Sequence, residues 1–366
     1  MTRRVRNRRY EGGFTLIELL IGGTIMLVVV LAALLIYSQG NKISADQQQY
    51  LEMQNDVRSA IYFISRDVRM AGTGIPATFA GYALEGVDNE ATDGVETPDR
   101  LSIMGNIEDP LVLPITSYQG SAATVTVADY SLENAGYPDS YYTNRTVLVF
   151  PNPSSSCVGI AVRNISQVRH SEPGTNEGFN FSPGQAPGVN PPGGLSDICA
   201  DSEFVGGSIL FADVNVYWLD VTGNAAGLTA GVDGYIGGGN GGILYMTKNG
   251  VHYALAPNIE TIQFQYNGDF DGDTAGLMDG FANWNSSWTK EQVGRIRQVR
   301  IMILGRTRTP FVTVGKVAVS GLHLYRRPAV ANTAAATADD WRKRFLVEST
   351  SNIRNLSLNL YNTGRR

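Results

Sequence analysis

Residues 12–37, GGFTLIELLIGGTIMLVVVLAALLIY, constrain this chain more than any other stretch. From Leu19 to Tyr37 no charged residue occurs over 19 positions. With Phe14, Thr15, Leu16 and Ile17 ahead of it, the run reaches the roughly 20 residues a helix needs to cross a bilayer. Arg3, Arg4, Arg6, Arg8 and Arg9 flank it on the N-terminal side. The positive-inside rule leaves that leader in the cytoplasm and sends the rest of the chain outward. The one carboxylate inside the stretch is Glu18. An acid in a membrane helix costs on the order of 2.5–3.5 kcal/mol on insertion scales, so it asks for a partner or a function, although near a helix end it can snorkel to the headgroups.

A secretory signal also joins a basic start to an apolar stretch, but its small-residue cleavage site follows the apolar run. Here the small pair Gly12-Gly13 precedes it. Cleavage between Gly13 and Phe14 would remove the leader and keep the helix. The contiguous Gly13-Phe14-Thr15-Leu16-Ile17-Glu18-Leu19 after a short basic leader resembles the signal of type IV prepilins. The resemblance implies that a prepilin peptidase cuts after Gly13 and N-methylates Phe14. It also implies that Glu18, fifth in the mature chain, serves filament assembly by meeting the positive N-terminus of a neighbouring subunit.

Past Tyr37 the sequence turns polar, yet helical spacing persists through Tyr50, Met53, Val57, Ala60, Ile61, Ile64 and Val68. Asp56, Arg58, Arg66, Asp67 and Arg69 fall largely on other faces, and Gly72, Gly74 and Pro76 stop the helix. A continuous helix over 14–71 would be roughly 85 Å long, with Gly40 as the place where it would bend. Beyond it come short β-like runs at 100–104, 123–128, 146–150, 158–168, 209–219, 243–247, 252–255, 259–266, 295–304, 312–323 and 345–348. Alternation in Thr261–Tyr266 and Gln298–Ile303 predicts sheets with one wet face, and Lys248-Asn249-Gly250 predicts a hairpin turn. The expected fold is α+β and pilin-like: a long N-terminal helix, membrane-spanning in its first half, packed on an antiparallel β-sheet head with loop insertions. Its expected divisions are a removable leader at 1–13, a membrane or filament-core helix at 14–37, an amphipathic continuation at 38–72 and a β-rich head at 73–366.

The distal chain is similar to PilW-type minor pilins in size, in Ser65-Arg66-Asp67-Val68-Arg69-Met70-Ala71-Gly72 ending the helix, and in an acidic loop followed by Val299-Arg300-Ile301. Arg342-Lys343-Arg344-Phe345 and Ile353-Arg354-Asn355 extend the likeness. Two departures from major pilins, no proline in the apolar helix and no cysteine pair at the C-terminus, point to an accessory subunit. The resemblance implies other minor and major pilins, the prepilin peptidase and an inner-membrane assembly platform as partners. It places the chain in the inner membrane by one span, head in the periplasm, and then in the pilus, where it would act in assembly or initiation, at the tip in one version. A pseudopilin at the tip of a type II secretion pseudopilus and a tip adhesin with a Ca²⁺-stabilised head are the alternatives.

Net charge is −5, and loss of the leader, with five Arg and one Glu, takes it to −9, which gives no broad basic face for nucleic acid. Cys157 and Cys199 form an even pair that favours a disulfide in an exported protein. It would bracket an insertion at 157–199 that contains the Pro- and Gly-rich 183–195, and closing a loop of roughly 40 residues contributes about 4 kcal/mol in the chain-entropy account. Asp269, Asp271, Asp273 and Asp279 in NGDFDGDTAGLMD are candidate Ca²⁺ ligands, since hard Ca²⁺ takes six to eight oxygens. The loop departs from the EF-hand, with Met278 where Glu belongs; a solvated acidic turn between strands is the other reading. The glycines of 237–242 lead into a strand without Lys-Ser/Thr and read as a turn. His170, His252 and His323 form no metal-spaced pair, and no nucleophile motif occurs, so the sequence predicts no enzyme. N-terminal sequencing of membrane-extracted protein is expected to begin Phe-Thr-Leu-Ile-Glu; an intact Met1, or a start beyond Tyr37, overturns the processing assignment.

Overall fold

Helix α1, Leu16–Met70, runs unbroken for 55 residues, about 82 Å at 1.5 Å per residue. It passes through Gly40 without interruption, where the sequence allowed a bend. In the computed structural model the residues described are 13–75, 77–88, 98–107, 111–119, 124–128, 131–157, 161–170, 177–182, 199–225, 227–236, 242–248, 250–272, 278–308, 326–336, 340 and 342–354. Thr15 caps the helix at its start. At its end Ala71 leaves the helical conformation and Gly72 N–H donates to Met104 O at 2.9 Å, tying the exit to a strand of the head. The first half is apolar on every side and has no cover among the described residues. In the second half Met53, Val57, Ala60, Ile64 and Val68 are fully buried, the face that the spacing predicts.

The strands are β1 Leu84–Val87, β2 Arg100–Gly105, β3 Val112–Gln119, β4 Thr124–Val127, β5 Thr146–Phe150, β6 Ala161–Arg169 and β7 Gly178–Ser182. They continue with β8 Ser208–Asp220, β9 Ile243–Lys248, β10 Val251–Ala256, β11 Ile259–Gly268, β12 Phe281–Asn283, β13 Ile296–Arg306 and β14 Arg344–Asn352. Short helices are α2 Ser131–Ala135, α3 Asp139–Tyr142, α4 Asp201–Phe204 and α5 Lys290–Gly294, with a 3-10 turn at Ala77–Tyr82. All pairings between these strands are antiparallel, as expected. Lys248 faces Val251 across the β9–β10 turn, the hairpin read from the sequence. The predicted strand at 312–323 lies outside the described residues.

The head is more than one sheet, and β8 is the reason. Its 13 residues are longer than any partner strand, so its two halves join different structures. Residues 208–212 pair with β5 on one side while 208–210 pair with β3 on the other. Since β3, β4, β7, β6 and β5 pair in succession, this closes a six-stranded antiparallel barrel. Residues 213–217 pair instead with β2, and 215–220 with β9, building a five-stranded sheet in the order β1-β2-β8-β9-β10. A separate four-stranded sheet has the order β12-β11-β13-β14. The segment between the cysteines was expected as an insertion with one strand at 158–168; it supplies that strand as β6 and also β7, two staves of the barrel. Their alternation buries Ala161, Ile165, Phe179 and Phe181 with Val147, Val149 and Phe211 in a core of the barrel's own.

The second half of α1 belongs to the other core, shared by the five-stranded and four-stranded sheets. Val57, Ala60, Ile64, Val68 and Ala71 join Leu101, Ile103, Tyr217 and Leu244 with Ile262, Phe264, Tyr266, Val299, Ile301 and Ile303. The register places Ile262 against Ile303, Phe264 against Ile301 and Tyr266 against Val299, one apolar row per pleat. At Gly305 the helix comes so close that a Cβ would meet Val57 Cγ2 at 2.6 Å and Met53 Cγ at 2.9 Å. The sequence placed Asp67 among the outward residues, but it is fully buried. Its Oδ2 accepts from Asn215 Nδ2 and from Tyr217 Oη, both at 2.6 Å, and its Oδ1 meets Arg66 Nε at 2.9 Å. A buried carboxylate persists only when so satisfied. Asp67→Ala strands the Asn215 amide and the Tyr217 hydroxyl, at about 1–3 kcal/mol for each buried unsatisfied group. The urea midpoint of the detergent-solubilised full chain is expected to fall accordingly; an unchanged midpoint would show that β8 and α1 are held without this contact.

Candidate functional site

The N-terminal end of α1 is built from Gly13 to Glu18. Gly13 and Phe14 lie outside the helix and are exposed, Phe14 to 87%, and nothing lies within 4 Å of where a Gly13 Cβ would stand. Thr15 is extended, with φ −77° and ψ 150°, and the helix begins after it. The bond between Gly13 and Phe14 therefore sits in open, non-helical backbone one residue ahead of a cap, a conformation a peptidase can grip.

Glu18 closes that cap. Thr15 N and Thr15 Oγ1 both donate to Glu18 Oε2 at 3.0 Å, and Glu18 N donates back to Thr15 Oγ1 at 3.3 Å. This is the reciprocal capping box, which the spacing Thr-x-x-Glu encodes and which satisfies two of the N–H groups a helix start leaves unpaired. Sequence reasoning weighed Glu18 as an assembly residue or a snorkelling acid and passed over this third role. The carboxylate also sits in the first turn, where the helix dipole favours negative charge.

Cys157 and Cys199 are bonded, with Cα atoms 5.9 Å apart and a sequence separation of 42. The bridge lies beside the barrel, against which Cys199 packs. Ser156 Oγ donates to Glu203 Oε1 at 2.9 Å next to it, so the bridge ties the approach to β6 to the start of α4.

The acidic turn leaves the distal end of β11. Asp269, Asp271 and Asp279 each bring a carboxylate oxygen within 4.8 Å of the others, while Asp273 lies outside the described residues. Backbone donors hold two of the three: Gly272 N gives to Asp269 Oδ1 at 2.7 Å, and Phe270 N and Asp271 N give to Asp279 Oδ2 at 2.7 and 3.3 Å. Gly272 adopts φ +68°, a backbone conformation that favours glycine, and a Cβ there would only displace the flexible end of the Arg295 side chain. Burial lowers the Arg297 guanidinium, and Asp269 opposes that shift. Gln292 Nε2 donates to Phe270 O at 2.8 Å, anchoring the turn to α5. Phe270 stacks on Trp288, centroids 4.3 Å apart, and Trp284 and Tyr266 complete the cluster, so the tryptophans pack inward. The donor set fits a hard cation in kind, three oxygens from carboxylates, with one oxygen each of Asp269 and Asp279 already engaged by N–H groups.

The two described histidines, His170 and His252, do not converge. His170 is bonded to Asp139 at 2.5 Å and stands 3.6 Å from Glu133; the bond to Asp139 chiefly raises its pKa, and burial opposes it. His252 lies in β10, joined to Thr247 Oγ1 at 2.7 Å, and His323 falls outside the described residues.

No protein-family model and no curated protein matches the chain. Among solved structures, a type IV-like pilin from Thermus thermophilus is similar at 12% identity with a TM-score of 0.19, over 59% of this chain and 90% of that one. A score so low supports no inference about architecture or activity.

Proposed function

We propose that this chain is a pilin-type subunit, made as a membrane-anchored precursor and transferred into a filament. The observation that carries the reading is the junction at Gly13-Phe14: an exposed, cleavable bond before a helix whose first half is apolar all round and whose second half is the spine of a β-rich head. A helix apolar on every side is buried in lipid or among other helices. Within that class the minor-pilin role, in assembly or initiation of a type IV pilus, is favoured by the head's size and by the PilW-like segments, with the prepilin peptidase, other pilins and the inner-membrane platform as partners. The secretion pseudopilin and the tip adhesin remain the competing forms of the same proposal. Surface-pilus counts and secretion assays in a deletion strain separate them. The reading is of a structural protein and assigns no catalysis.

Glu18 is proposed to serve twice, as cap in the membrane and as charge partner in the filament. Two substitutions divide these roles. Glu18→Gln keeps an acceptor at the third helical position and so keeps the capping box, while Glu18→Ala loses the charge and the half of the box that accepts from Thr15, leaving the backbone N–H of residue 18 on Thr15 Oγ1. Both variants are expected to insert in the membrane and both to be absent from sheared filaments in a strain lacking the parent copy. Filament entry by Glu18→Gln at the parent level would reduce this residue to a cap.

The acidic turn is proposed as a Ca²⁺ site held by Asp269, Asp271 and Asp279, with Asp273 as a further ligand. A cation bound only to the folded state adds about 2.7 kcal/mol at 100-fold over Kd. The full chain in detergent is expected to melt higher with millimolar Ca²⁺ than with chelator, with less response to Mg²⁺, whose octahedral shell is stricter. Asp271→Ala is expected to remove the difference. Equal melting in Ca²⁺ and chelator leaves a solvated turn stitched by its own N–H groups.

A further inference from the structure

The two ends of the four-stranded sheet differ in charge. The far end carries the acidic turn. At the other end Arg306 closes β13 and faces Arg344, which opens β14, with Arg308, Arg342 and Lys343 beside them. Helix α1 fixes which end this is. Asn258, just ahead of β11, donates to Asp56 Oδ2 at 2.8 Å, Gly305 abuts Met53 and Val57, and Lys343 Nζ stands 5.4 Å from the Tyr50 ring centre. These are the residues of the buried part of α1 that lie nearest Tyr37, so the basic end looks toward the apolar half of the helix.

Among the described residues, five cations meet three carboxylates there. Arg344 takes up two of the acids, with Nη2 at 2.9 Å from Glu260 and 2.7 Å from Asp340, while Arg306 lies 3.6 Å from Glu260. Asp56 accepts from Asn258, whose Oδ1 in turn accepts from Arg308 Nε at 2.9 Å. Burial lowers Arg306 first, and the neighbouring Arg342 and Arg344 lower it further while Glu260 opposes them, so the cations crowd one another. On the uncovered length of α1 below, Lys42 stands against Asp46 and Glu52. The end is basic in a chain whose net charge is −5.

Distance permits contact with the membrane. Thirteen residues separate Tyr37 from Tyr50, about 20 Å of helix. The headgroup layer occupies about 5–7 Å of that. Membrane helices tilt by about 20° on average and as far as about 40°, which lowers one side of the head further. The gap left, about 13–15 Å for an upright helix and less on the lowered side of a tilted one, is within two Debye lengths, each about 8 Å at physiological salt, before the reach of the side chains is counted.

We propose that, while α1 spans the bilayer, the basic end of the head formed by Arg306, Arg308, Arg342 and Lys343 rests on the anionic phosphate headgroups of the leaflet from which the helix emerges. This rests on the reading of α1 as a membrane anchor. The cations are spread across an end that faces the plane of the membrane, which suits a surface of many phosphates better than one discrete ligand. Each cation brought near such a surface strengthens the contact about fivefold. Release of the head then accompanies withdrawal of the helix into a filament, where the lipid surface is left behind.

Neutron reflectometry of the full chain in supported bilayers tests this by the height of the head. On bilayers with about 30% phosphatidylglycerol the head is expected about 10 Å lower than on pure phosphatidylcholine, with the difference lost at about 0.5 M salt. The triple variant Arg308→Gln, Arg342→Gln, Lys343→Gln is expected to ride at the same height on both, with its urea midpoint near the parent's. Equal heights for the parent on both bilayers overturn the proposal and leave the anchor intact. A triple variant that still moves with phosphatidylglycerol assigns the contact to other residues and overturns it equally. A lipid-independent parent whose triple variant fails to enter filaments gives these cations to a neighbouring subunit. A chain that does not span the bilayer takes the pilin-type reading down as well.

Discussion

One helix has to satisfy two solvents, and the rest of the molecule depends on how it divides them. From Leu16 to Tyr37 α1 finds no partner among the described residues, so that half contributes nothing to the stability of the head they form. From Met53 to Ala71 it does the opposite and supplies the wall that two sheets share. A fully buried Val, Ile or Met side chain is worth about 1.5–3 kcal/mol. The fully buried Met53, Val57, Ile64 and Val68 together therefore rival the net stability of an ordinary domain, about 5–15 kcal/mol. The head cannot be detached from this helix and keep its core, whereas it is indifferent to what surrounds the first half. That independence lets one polypeptide exist with its anchor in lipid or among other helices and keep the same head.

The second organising element is β8, which must serve a barrel with one half and a sheet with the other. Asp213 marks the change of partners: it is fully buried, its Oδ1 meets Arg145 Nη2 at 3.0 Å and Lys248 Nζ at 3.7 Å, and its Oδ2 accepts from Ile107 N at 3.3 Å. Arg145 in turn lies over Tyr141 and Phe211, 4.5 and 5.1 Å from their centroids. A buried ion pair is poor evidence for stability, because desolvation offsets its attraction, but it penalises every other register. A slip of β8 by one residue would turn Asp213 to the opposite face and leave both cations without it. Asp67, bound to Asn215 and Tyr217 farther along the same strand, pins β8 to the helix by the same logic.

What the sequence made legible follows from what is local. The long helix, its apolar stripe, its end near Gly72 and the strands with strong alternation are all periodicities of neighbouring residues, and they lie where they were expected. β3 was missed because Pro114 interrupts its pattern and cannot donate to a ladder. β1, β7 and β12 are short, at four, five and three residues. Closure of the barrel depends on which edges meet, and no local pattern states that. Asp67 was placed outside because its partners lie 148 and 150 residues away in sequence. At the acidic turn the carboxylates were visible, but the donors that hold them are backbone N–H groups, which every sequence has. Glu18 is the opposite case. Its capping partner stands three residues away in plain view, and the stronger filament motif drew attention from it.

The cap alters how Glu18 is understood. An acid buried in lipid without a partner would press the chain either to leave the membrane or to assemble at once. Here Thr15 already supplies two donors to Oε2, so the carboxylate is partnered on one oxygen within its own chain. Cleavage at Gly13 would leave the cap whole, since it starts at Thr15, and would place a new ammonium group on Phe14, one residue before the cap. The carboxylate would then have local donors of its own chain and, in a filament, an ammonium from a neighbour, a stronger charge-assisted partner at low dielectric. Moving from membrane to filament becomes an exchange of donors around one oxygen pair instead of the rescue of a stranded charge. On the proposed reading a precursor would hold this carboxylate partly satisfied in the membrane, and the drive for assembly would come from helix packing as well as from Glu18.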